Sequence, residues 1–347
     1  MPLQDLAGPA TGRSPHRRGW SAAPWIGVAA LSIAALATAN ALLARRSEAR
    51  HPPDGRFLKV DGLRLHYREA GRGPAIVLLH GNGVSSEDFL VSGLMGRLAR
   101  VGRVIAFDRP GFGYSDRPRE RDWAPPRQAE LFWKALGQLG IEQPILVGHS
   151  WGAFVASEMA LSIPTSVAGL VLISGYYRPT ARVDALLMAG PSLPLVGDVL
   201  RYTLSPLAGR LMAPAILRHL FAPAPVTDRF ERLYPVSQSL RPSQLRASAA
   251  EAGMIMPAAA ELAPRLPGLP SRTLIIAGAQ DRLLDTDHQS GWLASQAPHA
   301  DYLPIGGAGH MVHHTAADKV ADAVSKLVVA PSPSHAAQSD RTCETLV

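Results

Sequence analysis

The chain has 347 residues, 47% hydrophobic and 18% charged, which is enough apolar material for one large domain or two modest ones and excludes a mostly disordered chain. Its net charge of +7 is uneven: residues 1–50 carry +4 and the remainder +3, and no basic stripe is interleaved with aromatics, which excludes a nucleic-acid surface. The single cysteine, Cys343, excludes an intramolecular disulfide and any multi-cysteine metal site.

Residues 1–21 form a basic N-terminal segment, with Arg13, Arg17 and Arg18. Residues 22–44 ("AAPWIGVAALSIAALATANALLA") then run without a charge. A membrane-spanning helix needs about 20 mostly apolar residues, whereas the apolar core of a secretory signal needs only about 7–15. The length predicts an uncleaved, single-pass membrane anchor. A cleaved signal is one alternative, because Ala39-Asn40-Ala41 has the small residues of a cleavage site, and a soluble helix is the other. Arginines flank both ends, so Arg13, Arg17 and Arg18 argue for one orientation and Arg45 and Arg46 for the other. Residues 45–56 are polar and read as a linker.

Strand signals follow. "FLKV" (57–60), Asp61-Gly62 and "LRLHYREA" (63–70) read as a hairpin. "AIVLLHG" (75–81) and "RVIAFDRPGFG" (103–113) are apolar runs that end in glycine turns. "QAELFWKALGQLG" (128–140) has helical spacing and a terminal glycine. Further strands are expected at "PILVGHS" (144–150), "GLVLISG" (169–175), "RTLIIAG" (272–278) and near "ADYLPI" (300–305). Continuous apolar runs alternating with helical patterns predict an α/β fold, a mostly parallel sheet with helices on both faces. Residues 176–270 break the alternation. They hold helical patterns and many prolines but no strand signal, and they read as a helical insertion over the end of the sheet. The core is then 57–175 plus 271–329, and the tail at 330–347 is expected to be disordered.

Gly148-His149-Ser150-Trp151-Gly152 is G-x-S-x-G between a strand and a helix, the context of a nucleophile elbow. A sharp strand-to-helix turn pushes the serine hydroxyl beyond the strand end, and flanking glycines allow close backbone approach. A serine hydroxyl needs a general base. His310, in "GAGHMVHH" after the last strand, is the candidate; His313 and His314 are its neighbours and read as helix-start residues. His149 should point away from the nucleophile, into packing or a backbone hydrogen bond. The base needs a carboxylate, and Asp281 stands just beyond "RTLIIAG", with Asp285 and Asp287 as nearby alternatives. "LLHGNG" (78–83) can present a backbone N–H, from Asn82 or Gly83, beside that of Trp151 to form an oxyanion hole.

Together these motifs resemble the α/β-hydrolase fold family from about Phe57 to Val328. "DRPGFGYS" (108–115), "GAQDRL" and "GAGHMVH" match its loop pattern, acid loop and histidine loop. The resemblance implies an eight-stranded sheet, a helical cap at 176–270 that shapes the substrate pocket, and the order Ser150, Asp281, His310. Relatives acting on carbon–halogen bonds or epoxides usually carry aspartate where this chain has Ser150, so those chemistries are not expected. The upstream "HGNG" departs from the H-G-G-P-G loop of proline-releasing peptidases.

The expected activity is a serine hydrolase acting on a carboxylic ester, lactone, thioester or activated C–C bond, with no metal or organic cofactor. The alternatives are a ligand-binding or sensing protein on the same fold, or an acyltransferase or perhydrolase sharing the acyl-enzyme. The Leu-, Met-, Pro- and Ala-rich stretch 184–200 suggests an apolar acyl substrate, and a cap that leans on the membrane to collect it. Its composition equally fits a cap with its own core. Oligomeric state and acyl size have no sequence signal.

Overall fold

The computed structural model describes residues 23–329; the basic N-terminal segment and the tail with Cys343 lie outside the described residues. Eight strands form one sheet: β1 (Arg56–Val60), β2 (Leu63–Ala70), β3 (Ala75–Leu79), β4 (Arg103–Phe107), β5 (Ile145–His149), β6 (Gly169–Ile173), β7 (Thr273–Gly278) and β8 (Asp301–Ile305). Their spatial order is β1-β2-β4-β3-β5-β6-β7-β8. Only β2 runs against its neighbours; every pairing from β4 to β8 is parallel. The β1–β2 hairpin closes through Asp61 and Gly62, both at positive φ, as a two-residue turn matched to strand twist requires.

The central strands are apolar on both faces because each face is covered. Val77, Leu79, Leu146, Leu170 and Leu172 point into one core with Phe132 and Leu136 of α4 (Pro125–Gln138) and Phe154 and Met159 of α5 (Trp151–Ser162). Their alternating neighbours Ile76, Leu78, Val147, Val171 and Ile173 join a second core. There they meet Leu94 and Leu98 of α3 (Leu94–Leu98) and Val320 and Val324 of α14 (Ala317–Val329). The short α2 (Glu87–Val91) precedes α3 and adds Phe89. This two-residue alternation is what a doubly covered parallel sheet demands.

Between β6 and β7 the chain forms six α-helices and no strand: α6 (Val183–Met188), α7 (Val196–Tyr202), α8 (Leu204–Phe221), α9 (Asp228–Leu233), α10 (Val236–Ser239) and α11 (Pro242–Leu262). Two short helices, α12 (Trp292–Gln296) and α13 (Val312–Thr315), complete the set.

Helix α1 (Ala23–Arg50) runs six residues into the stretch expected to be a linker from residue 45. Tertiary contact explains the difference. The last turns of α1 pack on α7 and α10, and the Ser47 hydroxyl meets that of Ser237 at 2.7 Å. Arg241 of the insertion also pairs with Glu48 at 2.9 Å. Asn40 is buried, its amide donating to the carbonyls of Tyr202 (3.0 Å) and Thr203 (2.9 Å). By contrast Trp25–Ala35 is exposed throughout, and Trp25–Arg50 is the one straight helix among the described residues long and apolar enough to cross a membrane.

Candidate active site

The site lies beyond the C-terminal ends of β5, β7 and β8, where parallel-sheet folds collect functional loops. Ser150 follows β5 directly and adopts φ 52°, ψ −115°, a conformation costing about 1–3 kcal/mol in a residue with a Cβ. Its N–H donates to Ile173 O at 2.8 Å, which pins the turn to β6. The flanking glycines are steric necessities. A Cβ on Gly148 would stand 2.4 Å from Gly152 O, and one on Gly152 2.0 Å from Leu79 O.

His310 reaches the serine from the loop after β8: its Nε2 lies 3.0 Å from Ser150 Oγ. Its Nδ1 lies 2.8 Å from Asp281 Oδ2, and both side chains are almost wholly buried. A carboxylate can only accept, so the ring proton sits on Nδ1 and leaves the Nε2 lone pair toward the hydroxyl. Asp281 is held in turn, its Oδ1 accepting from the N–H groups of Leu283 (2.8 Å) and Leu284 (3.0 Å). The three residues singled out in the sequence therefore meet. Asp285 instead caps His288, with its Oδ1 3.0 Å from that N–H.

Trp151 begins α5, so its own N–H has no helical acceptor. Asn82 sits in the turn after β3, next to Gly81, where a Cβ would come within 3.2 Å of Ser150 Cβ. The Asn82 side chain donates to Ser248 O of α11 at 3.0 Å, which fastens this loop to the insertion. His149 behaves as expected: its Nε2 lies 3.2 Å from His310 O, away from the hydroxyl.

Three further sets of contacts surround the site. Arg109 is fully buried, paired with Glu251 of α11 (Nη2–Oε2 2.9 Å) and donating to His80 O (2.7 Å) and Gly81 O (3.0 Å). His313 and His314 do not simply start a helix. Both are buried in α13, and each Nε2 donates to Asp88 at 2.7 Å. Burial pushes the Asp88 carboxyl up, but the two histidines outweigh it and hold it well below the usual carboxylate range. Asp108, from the glycine-rich loop, accepts from His66 Nδ1 (2.7 Å) and Ser86 Oγ (2.6 Å), which supports a structural role for that loop. Burial, then the Arg109 charge, brings His80 down to about 3, and burial also lowers His149 and His313.

A family model described as alpha/beta hydrolase fold matches residues 74–317. The chain belongs to the α/β-hydrolase family. An uncharacterized protein of Mycobacterium tuberculosis is 36% identical over 170 residues, 48% of this chain and 49% of that protein, so the chain spans about half the length of this curated relative. The 2-hydroxymuconate semialdehyde hydrolase of Pseudomonas putida is 26% identical over 82% of this chain and 97% of its own. Among solved structures, the enol-lactonase from Burkholderia xenovorans LB400 superposes with a TM-score of 0.64 at 22% identity, covering 79% of this chain and 100% of its own. A membrane phospholipase A described as a bacterial virulence factor gives 0.60 at 24% identity, covering 88% and 96%. At these identities the structural likenesses establish the α/β-hydrolase fold.

Proposed function

We propose that this α/β-hydrolase is a serine hydrolase that cleaves a carboxylic ester through an acyl-enzyme. The observation that carries the reading is the unbroken relay from Ser150 Oγ to His310 Nε2 at 3.0 Å and from His310 Nδ1 to Asp281 Oδ2 at 2.8 Å. Ser150 Oγ attacks the ester carbonyl while His310 Nε2 takes its proton. The imidazolium that forms is stabilised by Asp281, which also fixes the tautomer. The carbonyl oxygen, now negative, is met by the N–H groups of Trp151 and Asn82. Removing one such donor typically costs about 10²–10³ in rate. His310 passes its proton to the leaving alkoxide. It then deprotonates the water that attacks the acyl carbon and returns the proton to Ser150. No step calls for a metal or organic cofactor.

The insertion acts in this reading as a cap, and α1 as a single-pass membrane anchor. Support for the cap comes from the contact of Asn82 with Ser248, and for the anchor from the exposed apolar length of α1. The substrate is an apolar acyl ester, in keeping with the phospholipase A neighbour and with the apolar residues of the insertion. A second reading, hydrolysis of an activated carbon–carbon bond, is favoured by the similarity to 2-hydroxymuconate semialdehyde hydrolase.

Steady-state hydrolysis of p-nitrophenyl esters of increasing acyl length tests the proposal. Turnover should rise from short to medium chains, and Ser150→Ala or His310→Ala should lower kcat by about 10⁴-fold or more. Ester turnover that is unaffected by both substitutions would refute it.

A further inference from the structure

Helices α7 and α8 of the insertion carry a run of exposed large apolar residues. Leu195 (81% exposed), Val196 and Val199 lie on and just before α7, and Leu204, Leu207, Leu211 (84%) and Met212 lie along α8. On α8 these residues recur at helical spacing, so they form one stripe. A stripe of this size marks an interaction surface. It adjoins α1, which packs on α7.

The dimensions of α1 identify the occupant. Its freely exposed part, Trp25–Ala35, rises only about 16 Å, against a hydrocarbon core of about 30 Å. A crossing that starts at Trp25 therefore takes in the residues that follow, up to about Ala44. From Leu36 onward those residues are no longer uniformly exposed, and Asn40 is buried against the carbonyls of Tyr202 and Thr203. That junction joins α7 to α8. Tilt of α1 only lengthens the requirement. A crossing that starts at Trp25 carries α7 and the start of α8 to the lipid, where Leu195, Val196, Val199 and Leu204 are exposed apolar residues. Charge agrees: Asp198, the one acidic residue of α7 and α8, is paired with Arg119 and Arg201, while Arg218 and His219 are exposed on α8.

We infer that the α7–α8 face is seated in the headgroup and upper acyl region of a lipid bilayer, on the side where α1 emerges, and that it delivers lipid esters to the site beneath. Helix α11 links the two regions, packing on α7 and holding Asn82 through Ser248. Delivery rests on the serine-hydrolase reading above; the seating rests only on α1 as the membrane anchor.

The test uses the full chain with Cys343→Ser, carrying one bimane-labelled cysteine at Leu195, Leu211, Leu31 or Glu142, in phosphatidylcholine/phosphatidylglycerol vesicles containing nitroxide lipid. Labels at Leu195 and Leu211 should be quenched like that at Leu31, and the label at the exposed Glu142 should not. If Leu195 and Leu211 behave like Glu142 while Leu31 is quenched, the seating is overturned. Label-to-label quenching at Leu211 without lipid quenching would assign the face to a second copy and overturn it equally. In parallel, a Leu195→Asp/Leu211→Asp variant should lose about tenfold or more on esters held in vesicles. It should keep its rate on a soluble short-chain ester. Unchanged vesicle turnover would remove the delivery role. Silence of the parent protein toward both esters, with quenching intact, would sink the hydrolase reading and leave the seating standing.

Discussion

Arg109 and Glu251 stand 142 residues apart and form an ion pair from which water is fully excluded. The same guanidinium holds the carbonyls of His80 and Gly81, so a single side chain ties the candidate oxyanion loop to helix α11 of the insertion. Buried charges are tolerated only when paired and hydrogen-bonded, and here Nε, Nη1 and Nη2 all have acceptors.

Glu251→Ala should therefore destabilise the protein by about 3–5 kcal/mol, because it strands Arg109. Urea unfolding followed by circular dichroism measures this. The double variant Arg109→Met/Glu251→Leu should recover part of the loss, since Arg109 no longer needs a partner, while the buried Arg117, 3.7 Å from Glu251, still does. A single-variant loss below about 1 kcal/mol would contradict the coupling.

Acid should unfold the protein early. His80, His149 and His313 are all depressed by burial, so below pH 6.5 the unfolded chain binds protons that the folded chain refuses. Stability is fully present above about pH 6.5 and falls as pH drops toward the folded value, about 3 for His80. Asp88 is depressed too, and its contribution holds above the ordinary carboxylate range and is lost further down. Thermal melts from pH 8 to pH 4.5 should show Tm level at first and then falling steeply below 6.5. Asp88→Asn should lower Tm at pH 7.5, because one of the two histidine N–H groups loses its acceptor.

Two glycines should respond in opposite senses to alanine. Gly152→Ala drives a Cβ to 2.0 Å from Leu79 O and 2.8 Å from His80 O, both backbone atoms, so the turn carrying Ser150 must shift. Ester turnover should collapse even where folded protein is recovered. Gly137, inside α4, has open space around its Cβ position, and Gly137→Ala should stabilise by about 0.5–1 kcal/mol with turnover unchanged. Calorimetry and a p-nitrophenyl ester assay on both variants check the pair.

The sheet and the meeting of Ser150, Asp281 and His310 were legible because their signals are local. Apolar runs ending in glycine mark buried strands, and Ser150, Asp281 and His310 each stand within a few residues of one. The Arg109–Glu251 and Asp88–His313–His314 contacts were not legible. Each joins segments more than a hundred residues apart, and a lone Glu in a helical pattern or a second histidine after a first carries no mark of its partner. Residues 45–50 show the same limit. Their polarity reads as linker, but docking on α10 through Ser47 and on Arg241, just before α11, through Glu48 keeps them helical.

The central claim is that Ser150 is an activated nucleophile with His310 as its base. The most direct measurement treats the full-length protein with a fluorophosphonate and locates the adduct by peptide mass spectrometry, beside Ser150→Ala and His310→Ala. The account predicts one adduct, on Ser150, absent from Ser150→Ala and nearly absent from His310→Ala. A folded parent protein that stays unlabelled, or labels equally without His310, would contradict it.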